Sequence, residues 1–305
     1  MARPTPTTPP PERLQRVMAE AGVASRRECE RLIESGAVEV NGEVVTKLPC
    51  FITPGVDRVS IDGRPIRKTP ERLLYLLFNK PARVLTTLAD EPGADRRTVM
   101  NYIDHPQKAR LFPVGRLDFE TTGLLLITND GELANRLTHP RYGVPKTYLV
   151  TVKGQIEDDA AEAITEGIYL ADRKAGRTVG ASRTARVEVR LISRQRDRTT
   201  LELTLREGRN RQVRRLLAAV GYPVKKLERI GMGPLRLKGI APGQWRELDR
   251  HELRAIKRAA AAGPDAQAAP DPKPRPKTKV TPRRSPDAGA KPKPAPRRAR
   301  GPSSR

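Results

Sequence analysis

The stretch Gly115-Arg116-Leu117-Asp118-Phe119-Glu120-Thr121-Thr122-Gly123-Leu124-Leu125-Leu126-Ile127 joins a polar turn to an unbroken apolar run. Four aliphatic residues in succession, bounded by Gly123 and by Thr128-Asn129-Asp130-Gly131, predict a short strand buried on both faces. The turn ahead of it carries one carboxylate, Asp118, with Arg116 two residues before. An acid held at the mouth of a buried strand beside a cation is well placed to act as an anionic nucleophile. Aspartates in turns more often only cap backbone N–H groups, so the surrounding sequence has to decide between the two.

Reading outward, Leu74-Tyr75-Leu76-Leu77-Phe78 predicts a second buried strand, ended by Asn79-Lys80-Pro81. Further strands are expected at Tyr148 to Val152, Ala185 to Ile192 and Thr199 to Leu205, the last two by period-two alternation. Helices fit 131 to 138, 157 to 166, 209 to 220 and 249 to 260, the last with Asp249 as N-cap and Glu252 three on. Strands dominate, with helices scattered among them, which predicts an α+β domain over 71–258 with a mixed, largely antiparallel sheet. Residues 171 to 184 read as a basic surface loop. In the helix at 209 to 220, Val213, Leu216, Leu217 and Val220 define a core face. Arg211 and Arg215 point away from that face, toward an anionic partner such as phosphate or toward plain solvent, whereas Arg214 lies at its edge. An arginine half-buried at such an edge requires an acidic partner, and Asp118 is the candidate.

Residues 12–70 read as a separate unit. A helix through Leu14, Val17, Met18 and Ala21 ends at Gly22, and a second starts from Ser25 with Glu28 three on, a capping-box pattern. The second helix carries Arg26, Arg27 and Arg31 and stops at Gly36. The stretch Ala37 to Val45 then reads as a hairpin turning at Asn41-Gly42. Helix, helix and hairpin, with arginines on the second helix, resemble an S4 RNA-binding domain.

The flanks, 1–11 and 259–305, are Pro-, Ala-, Lys- and Arg-rich with almost no bulky apolar residue, so both are expected to be disordered. The second, with 11 prolines, is either a nonspecific RNA tether or a solubilising tail. It carries +9 of the formal charge of +24, so the folding part is itself basic and a polyanionic partner is expected. Two cysteines, Cys29 and Cys50, are too few for a disulfide framework or a zinc site and read as reduced thiols. No apolar run approaches a membrane span and no leader pattern is evident, which makes the cytoplasm the expected compartment. The three histidines, His105, His139 and His251, are scattered and no nucleotide-binding glycine fingerprint occurs, so neither metal nor cofactor is expected.

The Gly-Arg-Leu-Asp turn with Thr128-Asn129-Asp130-Gly131 after it, and Glu207-Gly208-Arg209-Asn210-Arg211-Gln212-Val213-Arg214-Arg215-Leu216-Leu217, together resemble the signatures of the RsuA/RluB family of ribosomal RNA pseudouridine synthases. Gly243 to Leu248 is similar to the family's closing strand, and the resemblance spans roughly 12 to 255. It implies that Asp118 is the catalytic residue and that Arg214 is its ion-pair partner. By the same resemblance Tyr148, in Lys146-Thr147-Tyr148, stacks on the target base, and Leu227 lines the uracil pocket. Arg116 would help displace the nucleotide or hold its phosphate. Spacing alone would accept Tyr148 as a strand tyrosine, Leu227 as a core leucine and Arg116 as a surface arginine. The implied reaction isomerises uridine to pseudouridine in ribosomal RNA or a ribosomal-subunit precursor, large-subunit RNA being slightly favoured. It needs no cofactor, and a monomer is expected. Where the aspartate attacks cannot be read from residue types. Two rivals stand beside this: a noncatalytic RNA-binding assembly protein, and an aspartyl-phosphate phosphatase, which usually wants a second aspartate where this chain has Glu120.

Overall fold

The computed structural model describes residues 10–66, 72–107, 110–174 and 177–263. All but the last two residues of the expected N-terminal arm, and the tail from 264, lie outside the described residues. The tail's expected start at 259 is corrected, because the final helix runs to Ala261 and buries Ala260 against Ile256 and Leu133 of one core cluster.

In the N-terminal unit a two-residue strand, Glu12–Arg13, paired with Phe51–Ile52, leads into α1 (Leu14–Glu20) and α2 (Arg26–Glu34). The Ser25 hydroxyl accepts the Glu28 N–H at 3.1 Å, which supplies one of the donors that a helix start leaves unpaired. Strands β1 (Val38–Val40), β2 (Glu43–Val44), β3 (Val59–Ile61) and β4 (Arg64–Pro65) form an antiparallel sheet in the order β2-β1-β3-β4. Asn41 and Gly42, both at positive φ (54° and 89°), make the tight turn that their pairing predicts. Leu14, Met18, Cys29, Ile33, Val38, Ile52 and Val59 fill this unit's own core. Since α2 turns Cys29 and Ile33 inward, Arg26, Arg27 and Arg31 face solvent.

The larger unit is built on β5 (Tyr75–Lys80), β6 (Thr122–Thr128), β7 (Lys146–Lys153), β8 (Tyr169–Lys174), β9 (Arg177–Arg183), β10 (Glu188–Arg194), β11 (Arg198–Leu205), β12 (Val224–Met232) and β13 (Trp245–Glu247). Its helices are α3 (Gly131–Thr138), α4 (Asp158–Glu166), α5 (Gln212–Ala219) and α6 (Arg250–Ala261). The main sheet runs β10-β11-β7-β12-β6-β5-β13. Every neighbouring pair along it is antiparallel except β12 with β6, which are parallel. The expected mixed, largely antiparallel sheet is therefore present. The parallel step is a seam between two antiparallel halves. On one side α4 and α5 cover β7, β11 and β12; on the other, α3 and α6 cover β5 and β6. The opposite face of β5 and β6 packs Leu76, Phe78, Leu125 and Ile127 against Val84, Val99 and Leu117. With apolar layers on both faces, β6 is buried from Gly123 to Thr128, as its aliphatic run requires.

At the seam the register holds only two pairs, Glu228 with Thr122 and Arg229 with Gly123. Below that point the strands separate, and a cleft opens between Thr121 and Leu227.

Two expectations need correction. Residues 171–184 do not form an open loop: β8 and β9 pair as an antiparallel ribbon. The Arg209 guanidinium secures it, donating to Ser182 Oγ at 2.7 Å and to the Arg183 carbonyl at 2.8 Å. Helix α5 starts at Gln212 rather than 209, because Arg211 adopts the left-handed conformation (φ 49°) and the Gln212 side chain accepts the Arg209 N–H at 3.0 Å.

Candidate active site

The turn bearing Asp118 is held by side chains distant in sequence. Lys80, at the end of β5, has no exposed surface, and its ammonium faces the carbonyls of Thr121 (2.9 Å), Pro81 (3.0 Å), Asp118 (3.2 Å) and Phe119 (3.3 Å). Thr86 Oγ1 donates to the Leu117 carbonyl at 2.8 Å, and the Arg83 N–H donates to the Phe119 carbonyl at 2.8 Å. The backbone on either side of Asp118 is thereby fixed, while its carboxylate stays free to face the cleft. Sequence reading missed Lys80, although a lysine closing a buried apolar strand was the available signal.

Burial pulls the Lys80 ammonium down to about 8, against the pull of Asp118 and Glu120. Carrying this charge inside costs about 3 kcal/mol, but each carbonyl left without a donor would cost roughly 1–3 kcal/mol. The Asp118 and Phe119 carbonyls keep the Thr121 and Arg83 N–H donors, so two carbonyls, those of Thr121 and Pro81, lose theirs and the effects nearly offset in stability, whereas the Asp118 turn loses the cation that gathers its carbonyls. Lys80→Met is therefore expected to change unfolding free energy by no more than about 2 kcal/mol yet to slow turnover by about 100-fold through misplacement of the acid. The sign of the pH effect follows from the depressed folded value. Between about pH 8 and 10.5 the unfolded chain binds the proton that the folded chain has lost, so the wild type gains stability relative to Lys80→Met as pH rises through that window. Denaturant titrations of both proteins at pH 7.5 and 10 check this.

Two arginines approach the carboxylate. Arg211 Nη1 lies 3.6 Å and Arg214 Nε 3.9 Å from Asp118 Oδ2. Arg214 is the expected partner. Arg211, expected to point to phosphate or solvent, joins it because its left-handed backbone takes it off the helical spiral. Arg214 is only 16% exposed, and its Nε has no hydrogen bond within the described residues. Burial and the neighbouring Arg211 lower its pKa from the ordinary value, with Asp118 and Glu120 opposing. Among the described residues the Asp118 carboxylate is thus met by guanidinium groups and not by the backbone N–H groups that a capping aspartate accepts.

The cleft holds about 440 Å³ and includes Arg116, Asp118, Tyr148, Arg211 and Leu227 in its lining. Tyr148 packs against the core clusters on both sides of the seam, and Leu227, 6% exposed, lies opposite Val150 across the β7–β12 pair. Arg116 is exposed at the rim. Arg214 reaches Asp118 without lining the cleft itself. Arg215 does not reach the site, because its guanidinium donates to the Ala171 carbonyl on β8 and braces the ribbon. Arg26, Arg27 and Arg31 lie outside this cleft; Arg31 pairs with Glu28 at 2.8 Å on the exposed face of α2. Sequence reading also passed over Lys146 and Arg229 as site residues, although both line the cleft. Among the described residues no group of three or more His, Cys, Asp and Glu could hold a metal ion.

Comparison with known proteins fits this geometry. A family model described as RNA pseudouridylate synthase matches residues 74–219, and an S4 domain model matches 12–48. A protein of Aquifex aeolicus named as an uncharacterized RNA pseudouridine synthase is 44% identical over 248 residues, 81% of this chain and 94% of its own length. The Bacillus subtilis protein named ribosomal large subunit pseudouridine synthase B is 42% identical over 258 residues, 84% of this chain and 99% of its own. Among solved structures, a crystal structure of a pseudouridylate synthase superposes with a TM-score of 0.56 at 29% identity, covering 80% of this chain and 99% of that one. Similarity over this span places the chain in the RsuA/RluB family of RNA pseudouridine synthases, isomerases that here carry an N-terminal S4 domain.

Proposed function

We propose that this enzyme isomerises one specific uridine of large-subunit ribosomal RNA to pseudouridine, with Asp118 as its catalytic carboxylate. The observation that carries this reading is the placement of Asp118, fixed through its backbone by Lys80 and flanked by Arg211 and Arg214, in a cleft whose wall includes Tyr148 and Leu227. The large-subunit assignment draws on the name of the Bacillus subtilis relative.

A uridine in folded RNA has to leave its stack to reach Asp118, at a cost of roughly a few kcal/mol. Tyr148 offers the face of a ring and Leu227 an apolar contact, so a pyrimidine regains stacking and burial inside the cleft. Exposed Arg116 at the rim meets the phosphate backbone that remains outside. The two guanidinium groups beside Asp118 orient the carboxylate and compensate its charge, leaving one oxygen edge for the substrate. Arg26, Arg27 and Arg31 extend the contact to RNA beyond the target nucleotide.

Pseudouridine mapping at single-nucleotide resolution on ribosomal RNA, from cells with and without this protein, tests the proposal. One large-subunit site is expected to vanish on deletion and return with the wild-type gene; an unchanged map would reject the assignment. For the N-terminal unit, Arg26→Gln, Arg27→Gln and Arg31→Gln together are expected to weaken RNA binding. If each arginine neutralises one phosphate, the log–log salt slope falls by about 2. An unchanged slope would remove these arginines from the interface.

A further inference from the structure

We propose that Lys146 and Arg229 form a cationic pocket for the detached uracil, holding the negative charge that the base carries once its bond to C1′ is broken. This rests on the reading of the Asp118 cleft as the site of isomerisation, and assigns the inner part of that cleft.

Arg229 is 2% exposed. Its Nε donates to the Leu124 carbonyl at 2.7 Å, while its Nη2, also shielded from solvent, has no hydrogen-bond partner among the described residues. A buried guanidinium with an unused donor is costly, and such a group implies a partner that arrives with the ligand. Lys146 is half-buried in the same cleft, and among the described residues its Nζ donates only to the Val144 carbonyl, at 3.1 Å. Burial and the like charge of Arg229 pull it down to about 8. The acids lining the cleft are already engaged: Asp118 with Arg211 and Arg214, and Glu207 with Gln212, Arg209 and the Ala185 N–H. Among the described residues, two neighbouring cations therefore line the cleft with no anion of the protein's own to meet them.

Strand geometry says which part of the substrate they meet. Tyr148 and Arg229 are direct partners across the β7–β12 pair, and Leu227 precedes Arg229 by two residues as Lys146 precedes Tyr148. Along the pair Leu227 is level with Val150, Arg229 with Tyr148 and Lys146 with Met232, so both cations lie to the same side of Leu227, Arg229 beside Tyr148 and Lys146 about 7 Å further on, the advance of two strand residues. The apolar pair takes the ring and the cationic pair its polar edge. A phosphodiester belongs at the rim with exposed Arg116 and Arg211 rather than beside a 2% exposed side chain.

The chemistry requires such a pocket. Wherever Asp118 acts, the C1′–N1 bond breaks and its electron pair leaves with the base, shared by resonance between N1, O2 and O4. C5 then bonds to C1′, any bond or proton taken up by Asp118 is given back, the proton on C5 is lost and N1 gains one, so the nucleotide's composition is unchanged. Donors fixed where charge develops act mainly on the transition state, and loss of one typically slows turnover 100- to 1,000-fold.

The test is single-turnover rate and RNA affinity for Lys146→Gln, Arg229→Gln and Arg229→Lys in the full chain, with Asp118→Asn as reference. Each Gln variant is expected to fold, to bind RNA within threefold of wild type and to react about 100-fold more slowly, with Arg229→Lys recovering part of the rate. If Arg229→Gln does not fold, half-buried Lys146 carries the test alone. A substrate carrying 5-fluorouridine at the target adds a readout that a structural role would not move. Fluorine makes the uracil a weaker base, so loss of the starting nucleoside should suffer a smaller deficit in Lys146→Gln than with uridine. Wild-type rates in folded Lys146→Gln, or equal deficits on both substrates, would overturn the inference. If Asp118→Asn also retained activity, the failure would lie instead with the reading of the cleft itself.

Discussion

Asp118→Asn is expected to leave no detectable pseudouridine, with RNA affinity within about threefold of wild type and unfolding free energy lowered by about 1 kcal/mol. The amide keeps the shape of the side chain and removes its charge, so any acid, base or nucleophilic role ends at once. The effect on RNA affinity should be small and toward tighter binding, because one negative charge leaves a basic cleft. The stability cost is modest because Asp118 is 30% exposed and its ion pairs, at 3.6 and 3.9 Å, are partly screened by solvent. Replacing the acid leaves Arg211 and Arg214 as neighbouring cations, which is the source of the destabilisation. Mapping, filter binding and urea unfolding on one preparation separate these quantities. Retained activity would return Asp118 to the role of a turn residue.

Gly123→Ala is expected to cost more than about 4 kcal/mol and to abolish the folded catalytic unit. Gly123 has φ +104°, and a Cβ added there would lie 2.3 Å from the Arg229 carbonyl oxygen and 2.8 Å from its backbone nitrogen. Both atoms belong to β12, the strand paired in parallel with β6, and neither can turn aside as a flexible side chain would. Relief requires the strands to part at the seam, and the same movement would separate Thr121 from Leu227 and open the cleft. Gly131→Ala is the control: it lies in the same chain segment at the start of α3, has no atom within 4 Å of an added Cβ, and should be nearly neutral. Thermal unfolding of the two variants beside wild type measures the difference. Comparable stability for both would mean that the seam is not held by close backbone contact.

Local signals in the sequence were read where a feature depends on neighbours in the chain. Ser25 caps α2, accepting the Glu28 N–H at 3.1 Å, and Asp249 with Glu252 forms the reciprocal cap of α6. Asn41-Gly42 is the turn of a hairpin, and the aliphatic run after Gly123 is a strand buried on both faces. The edge position of Arg214 on α5 was legible from its spacing to Val213 and Leu217, and it predicted the ion pair with Asp118. The ribbon of β8 and β9 was not legible, because β9 is almost wholly exposed, without apolar alternation, and the ribbon depends on Arg209 for its attachment. Arg211 was misplaced for a related reason: helical spacing was extended through a residue whose backbone is left-handed.

The sequence by itself determined the catalytic unit's helices, the caps of α2 and α6, the buried strands β5 and β6 and the family signatures that surround Asp118, but not β8, β9 or the central strand β12. The former are local properties, set by propensity, periodicity and turn chemistry over a few residues. Only the tertiary structure decided that Lys80 holds the Asp118 turn from 38 residues away, and that the Arg229 guanidinium lies beneath Leu124 at a separation of 105. A cation's partner depends on which strands become neighbours. The parallel pairing of β6 with β12 joins segments more than 100 residues apart, and no periodicity in either segment records it.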